Sequence, residues 1–270
     1  MLEKVNLDKK LSRKEYKEVL PGLQRRLYDL EKACWDNKVA SIIVFEGWDA
    51  AGKGSAVSTL TARLDPRGFK LQPIQAPRTI ESSHPWMWRF WLRLPSYGEM
   101  AIFDRSWYGR VLVERVERLT PEEEWQKAYR EILDFERMLA DDGVVIIKFW
   151  LHISKQEQKK RFKKIEKDPL ESWRVNQEDW VHHKKYREYL IATEEMLERT
   201  DSEYGPWTIV EATSRWHARR KIFDTIIGRL EHRLGGAAPP ERALTRKNGQ
   251  DADLRAAMDR MDKRSAKEEE

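Results

Sequence analysis

The chain has 270 residues and a formal net charge of +5, and 40% of its residues are hydrophobic and 36% charged, which indicates a soluble globular protein with one main domain. It lacks the apolar run of about 18 residues that a transmembrane helix needs, and its charged N-terminus does not resemble a secretory signal. The lone Cys34 excludes an internal disulfide and favours a cytoplasmic location.

Apolar periodicity predicts helices and strands in alternation along the chain. The predicted helices span about 15–37, 55–64, 85–94, 121–141, 154–167, 177–199 and 213–233. The predicted strands span about 41–45, 69–74, 99–104, 144–151 and 207–211, although Pro73 is unfavourable in a central strand. Capping boxes at Thr120–Glu123 and Ser154–Glu157 support the starts of two helices.

This alternation predicts an α/β fold in three layers, α/β/α, with a central parallel five-stranded sheet of the P-loop kinase type and a helical lid. We expect one domain over residues 1–235. A stretch rich in Gly, Ala and Pro then opens residues 236–270, which are charged and poor in large apolar side chains. That composition predicts a disordered tail.

A glycine-rich segment after the first strand carries the pattern G-x-x-x-x-G-K, from Gly47 to Lys53, and a predicted helix follows it. Backbone amides in such a loop favour a bound phosphate, and the lysine would contact the transferred phosphoryl group. The predicted phosphate-binding residues are Gly47, Ala50, Ala51, Gly52, Gly54 and Ser55. The alternative is a glycine-rich turn with a surface lysine.

One position departs from the usual loop pattern, because Gly54 follows the lysine where Ser or Thr normally offers a hydroxyl to magnesium. A carboxylate inside the loop, Asp49, would repel phosphate unless a cation lay between them. We therefore predict that Asp49 binds magnesium in place of the missing hydroxyl. The alternative is that Asp49 caps the next turn.

A second carboxylate ends the third predicted strand, where Asp104 and Arg105 follow an apolar run as in a Walker B strand. Asp104 is predicted to bind Mg²⁺ or to orient the acceptor phosphate, and Arg105 to bind a phosphate through its guanidinium group. A structural Asp104–Arg105 ion pair is the alternative. Arg78, Arg110 and Glu114 are predicted nucleotide-binding residues.

Residues 47–54 together with 103–108 and 113–116 resemble the family-2 polyphosphate kinases. That family's first motif also has Asp in the loop and lacks the hydroxyl after Lys. Further matches lie at residues 135–139, 147–151, 168–170, 198–200 and 206–208, so the resemblance covers about 10–234. It implies reversible, Mg²⁺-dependent transfer of a phosphoryl group between inorganic polyphosphate and a nucleotide by a homo-oligomer, a dimer or a tetramer.

Two positions differ from many members of that family. Trp48 stands where many have Arg, and Gly109 where many have Asn. This pair is similar to the forms that act on AMP, including those with tandem domains, so AMP is the favoured acceptor. The sequence does not exclude ADP, GMP or GDP.

Basic residues dominate the segment from Lys155 to Lys167, and four of them fall on one helix face at positions 160, 163, 164 and 167. Such a stripe destabilises a helix unless an anion lies along it, so we predict a lid over about 154–180. By resemblance, Arg161 contacts the transferred phosphate. The candidates for a polyphosphate channel are Lys163, Lys164, Arg174, Lys184 and Lys185. Solvated charge is the alternative.

Two other functions fit parts of the pattern. An ATP-dependent nucleoside-monophosphate kinase would share the fold and the loop. A polyanion-binding or nucleic-acid-binding module would bind without turnover, but complete motifs on two strand ends argue against it. We expect no nucleic-acid or membrane partner. The adjacent His182 and His183 would point apart on a helix, so they are a poor metal pair and no zinc site is expected.

Overall fold

The computed structural model describes residues 2–235. The predicted tail, 236–270, lies outside the described residues, and the domain end expected at 235 stays a prediction. Within the described part, no helix has the length and apolar character needed to cross a membrane.

Five parallel strands form one sheet in the order β2-β3-β1-β4-β5. They are β1 (Ser41–Gly47), β2 (Phe69–Pro73), β3 (Met100–Asp104), β4 (Val145–His152) and β5 (Trp207–Glu211). The central strand β1 and its neighbour β4 are buried along nearly their whole length. Apolar strands buried on both faces are typical of a parallel sheet between two helical layers, which confirms the predicted fold class.

The helices are α1 (Arg13–Asp36), α2 (Lys53–Thr61), α3 (Thr79–Ser82), α4 (Trp88–Trp91), α5 (Val113–Val116), α6 (Glu122–Asp141), α7 (Lys155–Glu166), α8 (Gln177–Lys184), α9 (Tyr186–Thr200) and α10 (Arg215–Arg233). One group, α1, α2 and α10, packs together and contacts the sheet through β1, β3, β4 and β5. A second group joins α5, α6 and α9 and contacts β4 through α6.

Two predicted helices were wrong in extent. The helix predicted over 85–94 is reduced to the single turn α4, since Pro85 and Pro95 bound the segment and hydrogen bonds to the third preceding residue tighten its ends. The helix predicted over 177–199 is broken at Lys185 into α8 and α9. At the break, Lys185 Nζ lies 2.5 Å from Glu117 Oε2, and the next residue, Tyr186, donates to the Ile153 carbonyl.

One predicted capping box is wrong as well. Thr120 makes no cap for α6, whose N-cap is Pro121. The Thr120 hydroxyl instead donates to Glu114 and accepts from Arg110. One half of the capping box predicted for α7 is present, because the Glu157 amide donates to the Ser154 hydroxyl. The Glu157 carboxylate, however, pairs with Arg161.

Candidate active site

The glycine-rich loop joins the end of β1 to the start of α2, at the edge of the sheet where the strands end. Gly47 has φ +141°, and a Cβ there would lie 2.5 Å from the Leu151 carbonyl oxygen of β4. Gly52 is the N-cap of α2 with φ +104°, so no side chain caps the first amides of the helix. The loop therefore depends on glycine at two points. The amides of Trp48 and Ala51 donate to the carbonyls of Leu151 and Trp48, whereas no side chain caps the amides at the start of α2, so an anion is expected there.

Lys53 folds back over this loop. Its Nζ donates to the carbonyl oxygen of Gly47 at 2.7 Å and to that of Trp48 at 3.2 Å. The Ser55 hydroxyl is turned toward the helix start, where it donates to the Gly52 carbonyl. The lysine charge thus lies against the backbone of the loop, and its contact with a phosphoryl group stays a prediction.

Asp49 pairs with two basic side chains from outside the loop. Its carboxylate accepts from Arg105 Nη2 at 2.9 Å and lies 3.5 Å from His182 Nδ1. Burial alone would raise the pKa of this carboxyl, but the hydrogen bond from His182 and the charges of Lys53 and Arg105 hold the pKa well below its usual range. Asp49 is therefore ionised at any physiological pH.

Asp104 and Arg105 lie beside the loop at the end of β3. Asp104 stands opposite Phe45 of β1 in the sheet. Arg105 has φ +64°, unusual for a residue other than glycine, and its side chain reaches Asp49. The ion pair proposed as an alternative for Asp104 and Arg105 is replaced by an Arg105–Asp49 pair that joins the two motifs.

Arg161 of α7 connects the loop to the segment after β5. Its guanidinium donates to the carbonyls of Ala50 and Ala51, each at 3.0 Å, and its other nitrogen atoms bond the carbonyls of Ala212 and Thr213 and the Glu157 carboxylate. Five acceptors thus hold this side chain directly over the phosphate loop. Its predicted contact with a transferred phosphate remains a prediction.

The predicted channel residues are divided between two places. Lys163 and Lys164 line a groove of about 550 Å³ along α7, with Lys159, Lys160 and Lys167. Arg174 instead lies near the phosphate loop, because a Cβ on Gly54 would stand 3.9 Å from Arg174 Nη2 and 4.0 Å from Asp104 Oδ2. Lys185 is paired with Glu117 and is not free for a ligand in this structure.

The predicted nucleotide-binding residues form two charge clusters. Arg110 pairs with Glu114 at 2.7 Å and lies over the Trp86 ring. Arg78 is largely exposed and lies 3.6 Å from Glu81.

The carboxyl of Glu81 is buried and also bonds Arg93. Burial would raise its pKa, but the Arg78 amide and the arginines beside it lower the pKa to about 2. Glu81 was not predicted from the sequence, because nothing in its local pattern distinguishes it from a surface glutamate.

Two further buried groups support the site and were not predicted. Glu46, the residue before Gly47, accepts from the Ser106 hydroxyl at 2.8 Å, and burial raises the pKa of its carboxyl. A carboxylate inside an apolar strand was the available signal. Below the site, Lys148 and Glu136 form an ion pair at 2.8 Å that is fully buried and also binds the Tyr108 hydroxyl.

The two adjacent histidines face different partners. His182 lies against Asp49, and His183 bonds Gln158 at 2.7 Å. Gln158 also reaches the Asp49 carbonyl, so α7 and α8 both contact the phosphate loop. No group of three or more His, Cys, Asp or Glu residues able to hold a metal occurs in the described part of the chain.

Comparisons with known proteins show the family of the chain. The family model "Polyphosphate kinase 2 (PPK2)" matches residues 10–235. A polyphosphate:AMP phosphotransferase of Pseudomonas syringae pv. tomato is 44% identical over 231 residues, which cover 86% of this chain and 46% of that protein. An ADP-polyphosphate phosphotransferase of Pseudomonas aeruginosa is 36% identical and covers 86% of this chain and 77% of that protein.

The fold agrees as well. The crystal structure of polyphosphate kinase 2 from Arthrobacter aurescens TC1 matches with a TM-score of 0.84 at 28% identity, over 94% of this chain and 92% of that chain. This chain spans about half the length of the first curated relatives that it matches. The match over nearly all of the described residues confirms the predicted family: the chain belongs to the polyphosphate kinase 2 family.

Proposed function

We propose that this chain transfers the terminal phosphoryl group of inorganic polyphosphate to a nucleotide, with AMP as the favoured acceptor and ADP as a second. The observation that carries the proposal is the meeting of Lys53, Arg105 and Arg161 around one phosphate loop beside Asp104. Relatives named for transfer to AMP and to ADP support it, and the former share the higher identity. Guanine nucleotides are further acceptors to be tested.

The transfer needs no covalent enzyme intermediate. An oxygen of the acceptor's phosphate attacks the terminal phosphorus of polyphosphate, and the bond to the bridging oxygen breaks. The electron pair of that bond leaves with a chain one phosphate shorter. Nucleophile and leaving group are both phosphate oxygens, so the reaction is reversible. The loop amides, Lys53, Arg105 and Arg161 offset the negative charge of the transferring group.

In this mechanism Lys53 and Arg161 exchange their bonds to backbone carbonyls for bonds to phosphate oxygens. Both side chains already lie at the loop, so the exchange needs only a local movement. Asp104 orients the attacking oxygen from the neighbouring strand end. Arg78, Arg110 and Glu114 are proposed to bind the acceptor nucleotide, with Trp86 beside them.

We propose that Asp49 and Asp104 would hold Mg²⁺. Both residues carry carboxylates at the same edge of the sheet, and the low pKa of Asp49 keeps it ionised. Asp49 would exchange its contacts with Arg105 and His182 for the ion. Two protein ligands suffice, because Mg²⁺ usually keeps several waters and phosphate oxygens. When bound, the ion would neutralise phosphate charge during transfer.

We also propose a homo-oligomer, dimer or tetramer, and a cytoplasmic location. The single Cys34 is buried, and burial raises the pKa of its thiol to about 11, so it is inert as a nucleophile. Light scattering after gel filtration would give the number of subunits.

The decisive experiment is chromatography of nucleotide products. Purified protein is given Mg²⁺ and long-chain polyphosphate, with AMP, ADP, GMP or GDP in separate reactions and no ATP. We expect ADP from AMP, lost by at least about 100-fold in Lys53→Ala and Asp104→Asn but retained in the control Lys10→Ala.

The other outcomes separate the alternatives. ATP formed from ADP alone would keep the transfer and reverse the acceptor preference. Product formed only when ATP is the donor would indicate a nucleoside-monophosphate kinase. Polyphosphate binding without any product, equally tight in Lys53→Ala, would indicate a binding module.

A further inference from the structure

The segment 105–108, directly after β3, begins with a residue in an unfavourable backbone conformation. Arg105 has φ +64°, in the left-handed region that residues with a Cβ rarely adopt. A strained residue of this kind persists only where the structure around it fixes it. The contacts of its neighbours therefore determine where the Arg105 guanidinium lies.

The next residue, Ser106, is 3% exposed and uses its hydroxyl twice. The hydroxyl donates to Glu46 Oε1 at 2.8 Å and accepts from the Tyr108 amide at 3.3 Å. Glu46 belongs to β1, directly before Gly47, and is itself 5% exposed. One buried hydroxyl thus joins the strand that leads into the phosphate loop to the segment that carries Arg105.

The rest of the segment is fixed by a second buried carboxyl, that of Glu136. Trp107 Nε1 donates to Glu136 Oε1 at 3.1 Å, and the Tyr108 hydroxyl donates to the same oxygen at 2.6 Å. On the other side, the Arg105 amide donates to the Phe45 carbonyl at 3.0 Å. The backbone before and after the strained arginine is therefore held in place.

We propose that Ser106 is a positioning residue for the transfer, because its bond to Glu46 keeps Arg105 in the left-handed conformation that directs the guanidinium to the phosphate loop. The bond from Arg105 to Asp49, at 2.9 Å, marks that direction. The inference rests on the proposed function, in which Arg105 offsets charge on the transferring group. Ser106 acts only through its neighbour, since its hydroxyl is buried and bonded to the protein on both sides.

The test is a double-mutant cycle of Ser106→Ala with Arg105→Ala, measured as kcat for transfer from polyphosphate to AMP. A residue that acts only through Arg105 has nothing further to lose once that side chain is removed. We expect Ser106→Ala to lower kcat about tenfold in the unmodified chain, as for the loss of one hydrogen bond, and by less than about twofold in the Arg105→Ala protein. A merely structural role would lower kcat equally in both backgrounds, and that result would overturn the inference.

Two further variants complete the cycle. Tyr97→Phe is the matched control, because it also removes a hydroxyl that donates to a carboxylate, that of Asp142 at 2.9 Å, but before the start of β3 rather than after its end. We expect an unchanged kcat. Glu46→Leu removes the acceptor instead of the donor and serves if Ser106→Ala does not fold, with the same expected loss of about tenfold.

Crystal structures of wild type and of the Ser106→Ala protein separate this inference from the function on which it rests, because they need no turnover. A broken Arg105–Asp49 bond and a φ of Arg105 outside the left-handed region support the positioning role even if polyphosphate yields no product, an outcome that would remove the proposed function. An Arg105 that keeps its conformation and its bond in the variant overturns the inference.

Discussion

Gly47 and Gly54 lie in the same phosphate loop but in different surroundings, so substitution should affect them differently. A Cβ on Gly47 would lie 2.5 Å from a backbone oxygen of β4, at φ +141°. A Cβ on Gly54 would meet nothing closer than 3.9 Å, at an ordinary φ. The glycine that replaces the expected hydroxyl is thus not imposed by lack of space.

We predict that Gly47→Ala lowers the free energy of unfolding by roughly 2–4 kcal/mol, because both the clash and the positive φ must be relieved by backbone movement. Gly54→Ser should change it by less than about 1 kcal/mol. Urea denaturation of both variants measures the difference. If the two variants were equally destabilised, the contacts of the added Cβ would not determine how the loop responds to a side chain.

Arg161 joins two loops that belong to different elements, and lysine cannot reproduce its contacts. The guanidinium reaches four carbonyl oxygens, two on each loop, whereas an ammonium offers three donors from one point. We predict that Arg161→Lys lowers kcat by roughly 100-fold and leaves KM for AMP within about threefold, since the lost contact acts on the transferring group.

The control for this prediction is Arg130→Lys on α6, where the side chain is 90% exposed. Product chromatography gives kcat, and thermal unfolding shows whether the variant is folded. An Arg161→Lys protein with unchanged kcat and a lowered melting temperature would assign the arginine a structural role alone.

The packing of α1 against the segment before β2 depends on a buried carboxyl, Glu31. It accepts from the Asp65 amide, and its Oε1 is buried without a hydrogen bond in the described residues. Burial raises the pKa of Glu31 to about 7. The protonated form therefore favours the folded protein, and the stability it provides is complete below about pH 4.5 and is lost as pH rises through about 7.

We predict that Glu31→Gln, which keeps the shape and removes the charge, raises the free energy of unfolding at pH 8 by roughly 2–3 kcal/mol relative to its effect at pH 4.5. Urea denaturation at the two pH values checks this. If wild type and variant lose stability in parallel between them, the titrating group lies elsewhere.

At the scale of the whole molecule, sequence patterns predicted the features that depend on residues close together in the chain. The strands β1, β3 and β4 are mostly apolar runs, β1 and β4 are rich in β-branched residues, and all five strands were predicted to within two residues. The phosphate loop was predicted from its glycines and its lysine. The break at Lys185 was not predictable, because its partner Glu117 is 68 residues away in the chain. The partner of Glu46 was not predictable for the same reason, since Ser106 lies 60 residues further on, although a carboxylate beside an apolar strand marks the position itself.

In the candidate site too, residues were predicted from the sequence whereas the contacts between them were not. Asp49 and Arg105 were both selected, but their pairing depends on the sheet order that places β3 beside β1. The basic residues beside α2 come from α1, α10 and the segment before α8, and the sequence selected only Arg174 among them. A surface assembled from separate segments has no signature in any one of them.

Residues 236–270 are predicted to be dispensable for activity. The family match ends at 235, and every residue placed in the candidate site lies between 46 and 213. Residues 236–270 contain equal numbers of acidic and basic side chains, so they add no net charge for a polyanion. We therefore predict that a chain truncated after Gly235 keeps kcat/KM for AMP and polyphosphate within about twofold of the full chain. Loss of turnover with an unchanged melting temperature would mean that the tail takes part in substrate binding or assembly, and subunit number by light scattering would distinguish the two.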